Sequence, residues 1–338
     1  MVKKQSLKEL FKKNKNIIIN TDIDGILCGL ALVKSLDCKI VGFTNSKDSV
    51  WLADKYDNLY DHVYIDMFVT NKRAICIDQH VIAIDEKHAQ KIGKYGNKYN
   101  PQLDKEKFFN NRAFKTKYPF GTIHYLIAQL ESEGIKVKLP KLDKELNKKY
   151  STKFGDLILR ADDAMKTTLC SKYEKNAKKW WNWLKEKEPK PSAINSMVEY
   201  LERIKKEFKD KKKLKKEIER RKEETKRFFK KEFFKEEKNY RSGDGGFKAL
   251  VDNDGNITGN IEKYIRTIAK VMGIKNIKIP EHYMTHKGKA YRTRWLDFFK
   301  EDFLEKNTFY GHKIFSYAFI YAPGNDSNTN FSFTVDMK

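Results

Sequence analysis

Six residues in the first half of this sequence, Asp22, Asp24, Asp66, Asp78, His80 and Asp162, are of the types that hold metal ions and move protons. Asp22 and Asp24 flank Ile23 just after the β-branched run Ile17-Ile18-Ile19, and Asp66 follows Val63-Tyr64-Ile65. Asp78 follows Ile75-Cys76-Ile77, with His80 two residues further on, and Asp162 closes the short run that begins at Leu159. Carboxylates crowded at one sheet edge repel one another, and desolvated charges cost several kcal/mol each. Such a cluster is tolerable chiefly when divalent cations sit among the carboxylates. Two ions held about 3.5–4 Å apart would activate a water and steady phosphoryl oxygens during in-line attack. Oxygen-rich sites with one imidazole suit Mn²⁺ or Mg²⁺ better than Zn²⁺.

The elements that must position these groups can be read from apolar spacing. Ile17–Ile19 predicts a strand, residues 20–25 a turn, and residues 26–36 a helix. A strand over 39–43, a helix over 49–56, and short strands ending at Asp66 and Asp78 follow. Further helices are expected over 121–130 and 156–164. Short β-branched runs alternating with helices predict an α/β fold with a doubly wound, mostly parallel sheet, whose ligands gather at the carboxyl ends of its strands. Residues 171–240 read as a long, basic helical connector or insertion; between Leu201 and Tyr240 there are 18 Lys plus Arg and 10 Asp plus Glu. From 241 to 338 the pattern turns to short strands and turns, including an Asp254-Gly255 hairpin signal, and predicts a smaller C-terminal α/β domain that binds substrate. The division expected is therefore 1–170, 171–240 and 241–338.

In order along the chain, four stretches resemble the motifs of the DHH phosphoesterase superfamily, in its RecJ-like branch. Ile17-Ile18-Ile19-Asn20-Thr21-Asp22-Ile23-Asp24-Gly25 is similar to the first motif, a strand followed by Asp-x-Asp-Gly. Tyr64-Ile65-Asp66-Met67 is similar to the second, Ala74-Ile75-Cys76-Ile77-Asp78-Gln79-His80 to the third, and Leu159-Arg160-Ala161-Asp162 to the fourth. The resemblance covers about the first half of the chain and implies a metal-dependent phosphodiesterase domain. It implies Asp22, Asp24, Asp66 and Asp162 as metal ligands, with Asp66 bridging two ions, and Asp24 close to the reaction. Asp78 would orient the third motif, and His80 would contact phosphate or transfer a proton. The family's Asp-His-His is degenerate here. Gln79 stands at the position of a ligand histidine and offers only a neutral amide to a metal. The histidine that many relatives carry ahead of Asp-x-Asp is also absent, with Ile18 and Asn20 in that region.

Each residue also has a plainer local role: Asp22 could cap a helix, Asp66 could end a strand, and Asp156 and Asp163 compete with Asp162 for the fourth position. His124, on an apolar helix stripe, reads as a packed histidine, while Gly121 and Thr122 could offer backbone donors to an anion.

Charge supplies the partner. Seventy Lys plus Arg against 46 Asp plus Glu leave +24, which concentrates polyanions at the surface, although lysine-rich codon usage alone would also raise this figure. The expected substrate contacts are Asn20 and Thr122 in the first half and Lys289, Arg292, Arg294 and Asn325 in the second. The basic residues among them alternate with Tyr291 and Trp295, as in grooves that stack bases. No run approaches the roughly 18 apolar residues of a membrane span, no apolar signal core follows Met1, and the four cysteines lack paired spacing. A cytoplasmic protein without membrane attachment is expected. The preferred expectation is a RecJ-like exonuclease of single-stranded DNA or RNA. The alternatives are a phosphodiesterase of cyclic dinucleotides or short oligoribonucleotides, and a catalytically impaired DHH-fold protein that binds nucleic acid.

Overall fold

The structure, a computed structural model, describes residues 5–108, 116–140, 156–187, 189–235, 240–241, 246–293, 303, 306–320 and 331–338. Its elements in chain order begin with α1 (Leu7–Lys13), β1 (Asn16–Asn20), α2 (Ile23–Leu36), β2 (Lys39–Thr44), β3 (Ser49–Ala53), β4 (Val63–Ile65) and β5 (Ile75–Ile77). Next come α3 (Glu86–Gly93), β6 (Lys98–Tyr99), α4 (Pro101–Asp104), α5 (Thr122–Ser132), α6 (Leu157–Arg160), a 3₁₀ turn (Ala161–Asp163) and α7 (Ala164–Cys170). Three longer helices, α8 (Glu174–Lys185), α9 (Ser192–Glu207) and α10 (Lys211–Glu232), precede β7 (Tyr240–Arg241), β8 (Gly246–Phe247) and α11 (Gly259–Val271). The chain ends with β9 (Tyr283–Lys287), β10 (Lys289–Thr293), β11 (Thr308–Phe309), β12 (His312–Phe319) and β13 (Phe331–Val335).

The molecule is α/β, with a seven-stranded sheet of order β6-β5-β4-β1-β2-β3-β9. Its centre is parallel, from β6 through β2, and β3 and β9 extend it antiparallel. The chain leaves β1 toward β2 and β3, then returns to place β4 on the other side of β1. The strand order therefore reverses between β1 and β4, which opens a crevice at their carboxyl ends. Asp22 and Asp66 follow those two strands.

Within residues 49–56, expected to be helical, Ser49–Ala53 form β3 instead. Val50 and Leu52 bury on one face and Trp51 and Ala53 on the other, so these four side chains all find a core in a strand paired on both sides, with β2 and β9. A helix would have turned part of this uniformly apolar run to water.

The expected winding of helices over both faces is also corrected. Ile17, Ile19, Phe43, Ile65 and Ile77 meet the helical side, built from α1, α2, α5 and the helices after them. Ile18, Val41, Leu52, Tyr64 and Cys76 instead meet α3 and a separate four-stranded antiparallel sheet, β10-β13-β12-β11, through Phe315, Tyr317, Phe319 and Phe333. A sheet buried on both faces accounts for the near-continuous apolar strands. The C-terminal third is interleaved with the first half, since β9 is a strand of the large sheet and α11 packs on α2. Residues 171–240 do not stand apart as a spacer: Trp180, Trp181, Leu184, Ile194, Met197 and Leu201 bury in the same core as α5 and α7. Among the described residues no helix is long and apolar enough to cross a membrane.

Candidate functional site

Asn20, the last residue of β1, ties the first two carboxylates together. Its Nδ2 donates to Asp22 Oδ2 and to Asp66 Oδ2, at 2.8 Å each. Asp22 also caps α2, accepting from the Gly25 amide at 2.9 Å. Glycine is required at 25 because a Cβ there would meet the Asn20 carbonyl oxygen at 2.5 Å. Asp66 holds a left-handed backbone (φ 61°), and its Oδ1 accepts from Thr122 Oγ1 at 2.6 Å. Asn20 Nδ2 and Thr122 Oγ1, on residues expected to touch substrate, are thus spent on the carboxylates. Asn20 keeps a place on the pocket wall, whereas Thr122 is fully buried.

Asp24 turns away from the role of an open ligand. It accepts from the backbone N–H groups of Thr122 (2.6 Å) and Ile123 (3.0 Å), and so caps α5 in place of the missing side-chain cap at Gly121. A Cβ on Gly121 would lie 2.6 Å from Asp24 Oδ1, which explains the glycine. The helix terminus that could have received a substrate anion is therefore occupied by this carboxylate. Burial, and then the charges of Asp66, Asp162 and Asp22, push the Asp24 carboxyl well above the usual range. Burial likewise raises Asp66, with the His80 cation opposing it.

After β5, Asp78 and His80 form a short pair. His80 Nδ1 lies 2.7 Å from Asp78 Oδ1, and the His80 amide donates to Asp78 Oδ2 at 3.2 Å. Burial works against the imidazolium, but Asp78 and then Asp66 and Asp162 outweigh it and hold the His80 pKa up at about 10. Asp66, Asp78 and His80 bring potential ligand atoms within 4.8 Å of one another.

Asp162 comes to this site from the turn between α6 and α7. Gln79 Nε2 donates to Asp162 Oδ2 at 3.2 Å. Asp162 and Asp163 are consecutive left-handed residues (φ 47° and 54°), a conformation that costs energy outside glycine and concentrates at functional sites. The rivalry within this segment is resolved by partners. Asp163 pairs with Lys222 at 2.8 Å, and Asp156 pairs with Arg160 and, at 3.2 Å, with Arg221. Only Asp162 of the three lines the pocket.

That pocket has a volume of about 540 Å³ and lies between the carboxyl ends of the large sheet and the small sheet. Bridges from Val69 to Ser316 and from Val81 to Phe319 join the segments after Asp66 and after His80 to β12. Paired positions Arg292, Ser332 and Ala318, with Thr334 and Ser316, share one face of the small sheet and line the far wall. Ser46, Lys47 and Lys117 complete it. Sequence reasoning missed these residues, since a lone serine or lysine in a loop carries no local signal. Arg292 was expected and is at the pocket. Lys289 is on the exposed hairpin strand and does not line it. Arg294 and Asn325 lie outside the described residues. His124 is packed, with its ring against Phe120 and Trp181, and burial lowers its pKa to about 4.

Carboxylate oxygens such as those of Asp22, Asp66 and Asp162, which line the pocket, are donors of the type that suits a hard divalent cation such as Mn²⁺ or Mg²⁺. No protein-family model, curated protein or solved structure matches this chain.

Proposed function

We propose that this chain is a metal-dependent phosphodiesterase of the DHH type, which hydrolyses single-stranded nucleic acid from an end. The observation that carries this reading is the arrival of Asp22, Asp66, Asp162 and His80, from four separate parts of the chain, on one pocket whose far wall holds Arg292. Mn²⁺ or Mg²⁺ bound to those carboxylates would supply a water of lowered pKa and charge to offset the phosphoryl oxygens. The remaining work falls to the chain. Asn20 and Thr122 hold Asp66 in one orientation. Asp78 engages His80 Nδ1, so Nε2 is the ring nitrogen left to donate its proton to the departing oxygen as the P–O bond breaks, while the water oxygen bonds to phosphorus and the water's proton passes to solvent. Arg292 suits a phosphate through its planar fork of donors. A pocket of about 540 Å³ is the size of a ligand site rather than of a long groove, which favours a terminal nucleotide.

Gln79 favours a second reading, nucleic-acid binding without turnover, because its amide is engaged with Asp162 where the family's imidazole would hold metal. Incubation with Mn²⁺ or Mg²⁺ and end-labelled single strands, beside cyclic dinucleotides, separates the readings. Hydrolysis of the strands that is lost in Asp66→Ala and in chelator, with the fold retained, is the expected result. Turnover that persists in Asp66→Ala overturns the proposal; salt-sensitive binding without any turnover leaves the second reading standing.

A further inference from the structure

The densest charge in the chain lies at the corner between α9 and α10. Residues 205–216 contain eight lysines against Glu207 and Asp210, and all eight are exposed. Lys211 pairs with Glu174 at 2.6 Å and Lys215 reaches Glu219 at 4.0 Å. Lys205, Lys206, Lys209, Lys212, Lys213 and Lys216 enter no ion pair among the described residues.

Folding does not call for this pattern. Only Leu214 and Ile218 are needed to seat this part of α10, and both are buried. The first turn of the helix holds three lysines and no acid, although the helix dipole disfavours cations there. Lys212 and Lys216 add a like-charge i,i+4 pair. Beyond Lys216 the helix is closer to balance, with seven Lys plus Arg against five Glu over 217–232 and Arg220 bonded to Glu217 and Glu224 at 2.7 and 2.6 Å. The positive charge is therefore concentrated at one end.

The other part of α10 is fastened beside the pocket. Lys222 holds Asp163, the neighbour of Asp162, at 2.8 Å, and Arg221 holds Asp156 at 3.2 Å. Lys212 precedes Lys222 by ten residues, about 15 Å of helix at about 1.5 Å per residue. A few nucleotides of extended strand span that distance.

We propose that this lysine corner is a second contact for single-stranded nucleic acid, gripping backbone phosphates a few nucleotides from the end held in the pocket. It rests on the phosphodiesterase reading for what occupies the pocket, and adds a preference for a polymer over a dinucleotide. Contacts of this kind position the strand and carry no sequence information.

The test uses the full chain and a charge reversal on the exposed side of α10, K212E/K213E/K216E, with K205Q/K206Q/K209Q as an independent variant on the end of α9 and the turn after it. Thermal unfolding checks that each remains folded. Binding of a fluorescent oligothymidylate long enough to reach from pocket to corner is titrated against salt in EDTA. Each phosphate neutralised on a single strand contributes about 0.7 to the slope of log affinity against log salt, so the charge reversal should lower that slope by about 2 and weaken binding about tenfold or more. With Mn²⁺ present, dinucleotide turnover should match the wild type while the KM for the long strand rises. An unchanged slope in both variants overturns the proposal, as does equal loss of long-strand and dinucleotide turnover. If the wild type hydrolyses neither substrate, the phosphodiesterase reading falls while the slope still decides the corner.

Discussion

Gln79 donates its side-chain amide to Asp162 at 3.2 Å, across 83 positions of sequence. A residue that reads as a damaged ligand thus holds in place the carboxylate proposed as another, and outer contacts of this type typically change metal affinity by about 10–100-fold when removed. Replacing Gln79 with Ala should weaken Mn²⁺ binding by roughly that factor, measured by calorimetry. Gln79→His instead supplies an imidazole and should tighten Mn²⁺ binding. A Gln79→Ala affinity equal to the wild type would show that the contact does no work for the metal.

Asp66 is 2 % exposed and its pKa is raised by burial, so in the absence of metal the folded state takes up a proton more readily than the unfolded chain. Stability from this group is present at low pH and is lost as pH rises through the elevated folded pKa. Asp66→Asn should therefore raise the Tm in chelator at neutral pH while abolishing the Tm increase that Mn²⁺ gives the wild type. Differential scanning calorimetry with and without Mn²⁺ reads both effects. A metal-induced increase that survives in the variant would remove Asp66 from the site.

His88 carries the opposite sign. It is buried between α3 and the small sheet, its Nε2 3.3 Å from Tyr317 Oη, and burial lowers its pKa to about 4. The unfolded chain binds a proton near the usual value of about 6.5 and the folded chain does not, so stability from this group is intact above that pH and falls between about 6.5 and about 4. The loss over that interval is about 3 kcal/mol. In His88→Phe, where Tyr317 Oη keeps its bond to the Ile82 carbonyl, the acid-side decline should be shallower by about that amount. Denaturant titrations at several pH values check it; parallel curves for the two proteins would refute it.

Gly121 and Gly259 offer a paired test of crowding. An added Cβ at 121 would meet the Asp24 carboxylate at 2.6–2.8 Å, whereas at 259 it would meet nothing within 4 Å. Gly121→Ala should cost about 1–3 kcal/mol through overpacking and displace Asp24 from the end of α5. Gly259→Ala should be neutral or stabilising by up to about 1 kcal/mol. Equal stabilities in urea would show that the Asp24 cradle is loose.

The sequence by itself determined the parallel core and the places where acids would emerge. β1, β2, β4 and β5 are β-branched or apolar runs whose types admit few alternatives, and α2 and α5 carry helical apolar spacing. Asp22 and Asp66 follow strands, so their position at the crevice comes with the strand order. Periodicity reports that a face is buried and not what covers it, which is why Ser49–Ala53 reads as a helix and why a second sheet in place of outer helices was not legible. Asp156, Asp162 and Asp163 are equivalent as letters, and only Arg221, Lys222 and Gln79, distant in sequence, distinguish them. Asp24 and Thr122 changed roles for the same reason: a carboxylate goes to whichever donors the packing brings near, and here those donors are the first N–H groups of α5. Local sequence chooses backbone conformation and burial, while hydrogen-bond partners far apart along the chain are chosen by how the elements pack.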